Sequence, residues 1–422
     1  MNEKKKKILL ITTKHTGCGH KSISDSLMDW FVEMPEVEVV QVDGFEDLVN
    51  RSVTALGDSY GVVTRHAKFL WKMTWDFGTK FNSTYCSLMS TWAGKRFLEV
   101  VAREQPDVVL TTHPMFNSSL MTVCEEHGLD LPFVSVQADP VSVHPSWCDP
   151  RSALIICATD EAMERTLSFG VPRERILKVG FPTRRRFTDM AQRVEKPAYD
   201  GSRPARCLLM SGGEGSGMLG SYALELMTKT DVTLTIICGR NRQLKKRLEA
   251  LLKRKYGERV RILGFVTDIE NQMNESDIMI TRGSPNSFFE AVVMNVPLII
   301  TGALPGQEQG NPELVERYGL GIVSKGVKKL PAAVKRLLAD DGRELLRIRE
   351  AQQEYRRFDN AKRIAEAARD LALGRRPAYR EGNAPGGERL LSARRVVRSA
   401  RPKRALWPLL RVQRFLPSAS SS

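Results

Sequence analysis

The chain has 422 residues, which is long for one ordinary domain and suits two. Its composition, 42% hydrophobic and 27% charged, is that of a globular protein and excludes a chain that is disordered throughout. The formal charge of +15 is unevenly spread, because residues 375–422 hold twelve Lys or Arg against two Glu and so carry +10 of it.

Cysteine usage and hydropathy indicate the compartment. The seven cysteines are odd in number and form no CxxC pair, which argues against a disulfide framework or a zinc knuckle and favours the reducing cytosol. The N-terminal KKKKILLIT has an apolar segment too short for a signal peptide, and no window approaches the ~18 apolar residues of a spanning helix. If the protein acts at a membrane, we expect it to be peripheral, on the cytoplasmic face.

Short apolar runs alternate with helix-sized amphipathic segments along the chain. The runs are KILLIT, VEVVQVD, DVVLTTH, FVSVQAD and LIICAT in the first half, and RCLLMSG, VTLTIICG, RVRILGF, IMITRG and PLIITG in the second. Runs of this kind are typical of buried parallel strands, and a helix after each strand is typical of doubly wound α/β folds. The sequence therefore predicts two successive doubly wound α/β domains.

The domain boundaries follow from composition. Residues 191–205 lose periodicity and gain Pro, Gly and charge, which predicts a linker between domains at 1–190 and 206–354. Residues 332–372 indicate helix, with a break at Asp341-Gly342. Residues 375–422 are rich in Arg, Pro, Gly and Ser, which predicts a basic, disordered tail.

The first strand stops at a glycine turn that carries a histidine. Residues 8–11 are apolar, and Gly17 and Gly19 flank the turn that leads into His20. In an open α/β sheet the carboxyl ends of strands face the ligand crevice, where the near-neutral pKa of a histidine suits a general base. The alternative is a histidine that caps the helix or lies at the surface.

Two further constellations lie in the second half. The loop SGGEGSG follows a strand and precedes a helix, so its backbone N–H groups could approach a pyrophosphate, although such loops also occur for packing. A later helix opens near Ser287 and carries Glu290, which could complement the helix dipole or accept ribose hydroxyls. Gln307, Glu308 and Asn311 then cluster after a strand and offer the mixed donors and acceptors that sugar hydroxyls require.

Six motifs together resemble a known family. They are GCGH (17–20), THP (112–114), ADPVSVHPSW (138–147), VGFPTRRRF (179–187), SGGEGSG (211–217) and PGQEQGN (305–311). The combination resembles the monogalactosyldiacylglycerol synthase and processive diacylglycerol glucosyltransferase group of glycosyltransferase family 28, and more distantly the peptidoglycan lipid-II-forming N-acetylglucosaminyltransferase. The resemblance covers roughly residues 6–370 and leaves out the basic tail.

The resemblance implies a fold and an activity. The fold is GT-B, two Rossmann-like domains facing across a cleft, with the acceptor site mainly in the first, the UDP-sugar site mainly in the second, and a helix near 355–372 packing back on the first. The activity is inverting transfer of a hexose from a UDP-sugar to diacylglycerol or a glycolipid acceptor in glycolipid biosynthesis. The UDP-sugar is a co-substrate, and no other cofactor and no metal are expected.

The resemblance also assigns residues by matching position. His20 becomes the candidate base on the acceptor hydroxyl, with Asp139 and His144 as rival or assisting residues. The remaining assignments are Gly213 and Gly215 to the pyrophosphate, Phe265 to the uracil through its backbone, Glu290 to the ribose, Gln307, Glu308 and Asn311 to the hexose, Gly19 to the acceptor, and Trp71, Trp75 and Trp147 to lipid.

The lipid assignment has a structural alternative. Residues 58–81 mix aromatic and basic side chains, as an interfacial contact requires. The same pattern fits a buried amphipathic helix with Trp71 and Trp75 in the core. The tail has no motif that would read a nucleic-acid groove, so an anionic membrane surface is its expected partner and no specific nucleic acid is expected.

Departures from the family pattern leave the donor sugar and the acceptor open. Arg282 precedes GSPNS where a Lys or similar residue usually precedes a GPGT-like loop, and residues 22–24 replace small alanines. Two other functions share the fold: a UDP-sugar 2-epimerase, which needs cleft carboxylates that the sequence does not place, and a non-catalytic UDP-sugar sensor. Intact His20, Asp139 and PGQEQGN argue against the sensor.

Overall fold

The computed structural model describes residues 4–13, 18–49, 68–211 and 218–375, and within them the chain forms two parallel six-stranded sheets. The first contains β1 (Lys6–Thr12), β2 (Val37–Asp43), β3 (Val108–Thr111), β4 (Phe133–Val136), β5 (Leu154–Cys157) and β6 (Ile176–Lys178). The second contains β7 (Arg206–Met210), β8 (Thr233–Ile237), β9 (Val260–Leu263), β10 (Ile278–Thr281), β11 (Leu298–Ile300) and β12 (Gly321–Val323).

Helices follow the strands in turn. They are α1 (Cys18–Phe31), α2 (Lys68–Lys80), α3 (Asn82–Glu104), α4 (Ser118–Glu126), α5 (Asp160–Ser168), α6 (Arg185–Arg193), α7 (Leu219–Lys229), α8 (Arg242–Leu248), α9 (Arg254–Tyr256), α10 (Ile269–Asn274), α11 (Pro285–Val293), α12 (Asn311–Arg317), α13 (Leu330–Tyr355) and α14 (Asn360–Ala372). A π-helical turn joins α8 to α9. Within the part of the chain that the structure describes, no helix combines the length and apolarity needed to cross a bilayer.

Each sheet reverses its strand order at one point. The first runs β2-β1-β3-β4-β5-β6 and the second β12-β11-β10-β7-β8-β9, so the reversals lie between β1 and β3 and between β7 and β10. The carboxyl ends of parallel strands leave a crevice at such a point, and ligands of open α/β sheets bind there. The segments after β1, β7 and β10 carry part of the predicted site, and the rest of it follows β2, β4, β9 and β11.

Burial explains why these segments form central strands. All four residues of β3, β4 and β5 are buried, as are the last five of β1, because helices cover both faces of the sheet. A second apolar core forms around β7, β8 and β10 with α7 and α13. The predicted pair of doubly wound α/β folds is confirmed, and the ten predicted strands are all present.

The connection between the sheets and the C-terminal helices can be followed directly. Residues 194–205 form no helix or strand between α6 and β7. Helix α13 is kinked at Asp341 and Gly342, whose φ angles are 52° and 77°, at the predicted break. Helix α14 packs against α1, β1 and β3, so the end of the described chain lies on the first sheet.

Candidate active site

The beginnings of two helices meet between the sheets. Helix α1 begins at Cys18, beyond the loop that follows β1, and α11 begins at Pro285 after β10. A Cβ atom on Gly19 would lie 3.1 Å from Nδ2 of Asn286, so the two helices approach closely at this glycine. This close approach brings the first-sheet residues near His20 to the second-sheet helix that carries Glu290.

His20 is held as a neutral imidazole with one defined tautomer. The side chain is 7% exposed, and its Nδ1 lies 2.5 Å from the carbonyl oxygen of Thr112. A carbonyl only accepts, so Nδ1 carries the proton and Nε2 is left with its lone pair. Burial lowers the pKa of His20 to about 4, partly offset by this hydrogen bond, so the ring is neutral at pH 7.

Two other rings surround His20. The His113 ring lies edge-on at 4.4 Å and the Trp147 ring is tilted at 6.3 Å, measured between ring centroids. Met115 N–H donates to Nδ1 of His113 over 3.3 Å, and burial lowers the pKa of His113 well below its usual value. A second imidazole so close disfavours protonation of either ring.

Asp139 is a buried carboxyl with donors from both halves of the molecule. Trp147 Nε1–H donates to its Oδ2 over 2.7 Å, and Gln307 Nε2–H donates to its Oδ1 over 3.1 Å. Burial raises the pKa of Asp139 to about 7, opposed by these two hydrogen bonds and assisted by the nearby Glu308. The carboxyl therefore titrates near neutral pH, as acid–base groups of active sites often do.

The His144 imidazole forms hydrogen bonds with two neighbouring segments. Its Nδ1 accepts from the backbone N–H of Ser146 and lies 2.7 Å from the Ser146 hydroxyl, while the ring also forms a hydrogen bond with the backbone of Trp75. Burial lowers the pKa of His144 to about 4. These contacts join His144 to two neighbouring segments, and its role as a rival or assisting residue stays a prediction.

The loop 305–311 after β11 lies against the first domain. Besides the Gln307 contact with Asp139, Gly310 N–H donates to the Ser142 hydroxyl over 3.1 Å. Glu308, which is 5% exposed, pairs with Arg282 at 2.9 Å and accepts from the backbone N–H of Leu304 over 2.7 Å. The loop is thus anchored to both domains.

Asn311 and Phe265 complete the predicted donor residues that are described. Asn311 is fully buried at the start of α12, where its Nδ2 donates to Gly283 O over 2.8 Å and its Oδ1 has no hydrogen-bond partner among the described residues. Phe265 is 54% exposed, with the Arg240 guanidinium 4.7 Å from its ring centroid. Asn311 can therefore still accept one hydrogen bond.

Glu290 is paired with an arginine from the other half of the molecule. Arg184 donates to Glu290 Oε1 from Nη2 over 2.6 Å and from Nε over 3.0 Å, and the carboxylate is 5% exposed. Burial raises the pKa of Glu290, while the charge of Arg184 opposes that rise. Both hydrogen bonds from Arg184 use Oε1, so Oε2 remains the oxygen available to a ligand hydroxyl.

The structure describes the side chains of two of the three tryptophans assigned to lipid. Trp147 is completely buried and bonded to Asp139, so it belongs to the cluster around His20 and not to a lipid-facing surface, which corrects the assignment made from the sequence. Trp75 lies against Gly306, within the cleft. Trp71 is helical, but its side chain lies outside what the structure describes.

Gly213 and Gly215 lie outside the described residues. Sequence reasoning also missed three functional candidates: Arg184 as the partner of Glu290, Arg282 as the partner of Glu308, and His113 as a neighbour of His20. The signals were present, since Arg184 and His113 fall within the motifs VGFPTRRRF and THP.

The arrangement can remove a proton from an alcohol. An unprotonated Nε2 in a buried, neutral imidazole has a lone pair that can accept this proton, and the neighbouring loop offers amide and carboxylate groups that suit a polyhydroxylated ligand. The partners of the buried carboxyls Asp139 and Glu290 come from across the cleft, so the site depends on both domains.

The raised pKa of Asp139 predicts a pH-dependent stability. The folded protein binds this proton more tightly than the unfolded chain, so the stabilisation is full below about pH 4 and is lost as the pH rises through about 7. We expect Asp139→Asn, which can still accept from Trp147, to gain thermal stability relative to the parent protein as the pH rises from 4 to 8. Thermal unfolding followed by circular dichroism across that range measures it.

The control is Asp130→Asn, which removes an exposed carboxylate from a loop. Its difference in Tm from the parent protein should stay nearly constant over the same range. If Asp139→Asn showed the same flat difference, the raised pKa of Asp139 would be contradicted.

Comparison with protein families gives two matches. Residues 20–183 match the family described as monogalactosyldiacylglycerol (MGDG) synthase, and residues 220–340 match the glycosyl transferases group 1 family. The first match includes His20, Asp139 and His144, and the second includes Glu290 and the loop 305–311.

Individual proteins match over most of the chain. Monogalactosyldiacylglycerol synthase 1, chloroplastic, of Arabidopsis thaliana is 28% identical over 362 residues, 81% of this chain and 67% of that protein. Processive diacylglycerol beta-glucosyltransferase of Bacillus cytotoxicus is 26% identical over 374 residues, 85% of this chain and 92% of that protein.

Solved structures agree on the fold. Acinetobacter baumannii MurG superposes with a TM-score of 0.60 at 12% identity over 87% of this chain and 100% of that chain. The S. aureus MnaA–UDP structure superposes with a TM-score of 0.57 at 16% identity over 87% of this chain and 97% of that chain. The GT-B fold is confirmed, and so is the predicted resemblance: along most of its length the chain is similar to monogalactosyldiacylglycerol synthases and processive diacylglycerol glucosyltransferases.

Proposed function

We propose that the protein transfers a hexose from a UDP-sugar to the free hydroxyl of diacylglycerol or a related lipid acceptor, with inversion at the anomeric carbon. The observation that carries the proposal is the hydrogen bond between His20 and Thr112 O, which leaves Nε2 unprotonated at the point where the first sheet reverses its order. The relatives named for diacylglycerol as an acceptor support the lipid substrate class.

The proposed step involves only the protein, the UDP-hexose and the acceptor alcohol. The acceptor oxygen attacks the anomeric carbon, its proton passes to Nε2 of His20, and the bond from that carbon to the UDP oxygen breaks with the electron pair leaving on UDP. Charge that develops on the leaving group is stabilised by backbone N–H groups and a helix end, the role proposed for Gly213 and Gly215. The protein groups are proposed to suffice, with no metal and no further cofactor.

The donor is proposed to lie on the second domain. Glu290 accepts ribose hydroxyls through Oε2, the backbone near Phe265 contacts the uracil, and Gln307, Glu308 and Asn311 contact the hexose. The buried, unpartnered Oδ1 of Asn311 supports this, because a buried acceptor without a donor is costly in the absence of ligand. Asp139 orients Gln307 and Trp147 beside His20.

A row of exposed apolar side chains supports attachment to a membrane surface. Phe69, Met73 and Phe77 recur every four residues along α2, and they are 74%, 53% and 59% exposed. Lys72 and Lys80 lie on the same helix, as a helix bound at an anionic interface requires. We propose that α2 and the basic tail hold the protein peripherally on the cytoplasmic face of a membrane, where the buried free thiols of the described chain are stable.

Transfer can be tested with purified protein, diacylglycerol liposomes and radiolabelled UDP-glucose, UDP-galactose and UDP-N-acetylglucosamine. We expect label in lipid with one donor, and a loss on the order of 10²- to 10⁴-fold in kcat/KM for His20→Ala because the base is removed. His127→Ala, which changes an exposed histidine after α4, is the matched control and should retain activity. UDP binding without transfer from any donor would contradict transfer to diacylglycerol and leave a sensor, a 2-epimerase or another acceptor as the surviving explanations.

The proposed attachment can be tested separately by vesicle sedimentation. Replacing Phe69 and Phe77 together by Ser should weaken binding at least about tenfold, because burying one such side chain stabilises by roughly 1.5–3 kcal/mol. Removing residues 375–422 should weaken binding to anionic vesicles more than to neutral ones, and more so at low salt. Val32→Ser, at an apolar residue 77% exposed elsewhere on the surface, is the control. Unchanged binding in the double variant would refute the role of α2.

A further inference from the structure

Helix α2 has an inner face as well as the exposed apolar row. On that inner face Trp75 packs on Gly306, at the start of the loop 305–311. A Cβ atom on Gly306 would lie 2.7 Å from both Cγ and Cδ1 of Trp75, so only glycine leaves room for the indole. Gly306 also has a φ of 84°, which a residue with a Cβ adopts with strain.

His144 contacts α2 at Trp75 and Gly78. The Trp75 and His144 ring centroids are 4.8 Å apart with the planes at 72°, and the imidazole forms a hydrogen bond with the Trp75 backbone. A Cβ atom on Gly78, one turn further along α2, would lie 3.2 Å from Nε2 of His144. Helix α2 therefore packs directly on His144, which belongs to the same segment, ADPVSVHPSW, as Asp139.

The loop 305–311 meets the first domain at three points along its length. Trp75 contacts Gly306, Asp139 bonds Gln307, and Ser142 bonds the backbone of Gly310. Gly310 is also packed so tightly against Val141 that a Cβ atom would not fit. Moving α2 away would remove the first of these contacts and expose the edge of the loop.

We propose that Trp75 is a positioning residue that couples attachment of α2 to a lipid surface with the placement of the loop 305–311, and hence with the affinity for the sugar part of the donor. The inference rests on the proposed function and deepens it. One rigid helix carries the exposed apolar row on its outer side and the indole on its inner side. Binding the outer side to a bilayer restricts the helix, and the indole then restricts the loop.

Coupling of this kind is reciprocal. If a lipid surface raises the affinity for a UDP-hexose by some factor, the UDP-hexose must raise the affinity for the surface by the same factor. The effect should be larger for a UDP-hexose than for UDP alone, because the loop 305–311 is proposed to contact the hexose. This difference separates the proposal from a general stabilisation of the protein by vesicles.

The experiment measures UDP-hexose binding by isothermal titration calorimetry with the full chain, with and without vesicles of phosphatidylcholine and phosphatidylserine. The three UDP-hexoses and UDP alone are the probes, and the absence of diacylglycerol in the vesicles prevents turnover. We expect vesicles to tighten UDP-hexose binding at least about fivefold, the lower end of typical coupling. Trp75→Ala should lose this tightening yet still sediment with vesicles, because Phe69, Met73 and Phe77 are retained.

Two further variants make the result specific. Gly306→Ala should also lose the tightening, because the added methyl group displaces the indole while every residue of α2 is unchanged. Trp92→Ala removes an indole that is 41% exposed on α3 and should keep the tightening. Circular dichroism of each variant confirms that it is folded.

Either of two results would overturn the coupling: no vesicle effect on UDP-hexose affinity in the parent protein, or a full effect in Trp75→Ala. Both are read from binding alone. Failure of the proposed function would instead show as absence of hexose transfer by the parent protein in the liposome assay, so the two failures are distinguishable.

Discussion

The hydrogen bond from His20 Nδ1–H to the carbonyl oxygen of Thr112 is the contact on which the candidate site depends. It can form only because β1 and β3 are parallel neighbours whose carboxyl ends open to the same side. Burial keeps the ring neutral, and the carbonyl selects the tautomer, so together they leave Nε2 as an acceptor. A histidine in a mobile surface loop would have neither property.

The other key contacts of the site are those between its buried carboxyl groups and their hydrogen-bond donors. Asp139 takes a hydrogen bond from Gln307, and Glu290 takes an arginine, Arg184, from the other side of the cleft. A buried carboxylate that loses its partner is costly, so these pairs favour approach of the two domains. The same contacts bring the proposed base and the residues proposed to bind the sugar together, which neither Rossmann-like domain could do alone.

Much of the fold could be predicted from the sequence. Ten strands were found because their apolar runs are continuous, whereas β6 and β12 were missed because three-residue edge strands leave too short a pattern. The side on which an aromatic residue faces could not be predicted: Trp147 bonds Asp139 in the interior, and Trp75 turns towards the loop 305–311. The partner of Glu290 could not be predicted either, because 106 residues separate Glu290 from Arg184. Such pairings arise from tertiary packing: the motif VGFPTRRRF marks Arg184 as a candidate but does not indicate its partner.

The most direct test of His20 as the base is its ¹⁵N NMR spectrum as a function of pH. The spectrum is recorded on histidine-labelled protein and assigned by comparison with His20→Gln. We expect a neutral ring protonated at Nδ1 at pH 7, with Nε2 taking up a proton only as the pH falls towards about 4. A ring protonated at Nε2, or one already charged at neutral pH, would leave no acceptor for the hydroxyl proton and would contradict the assignment of His20 as the base.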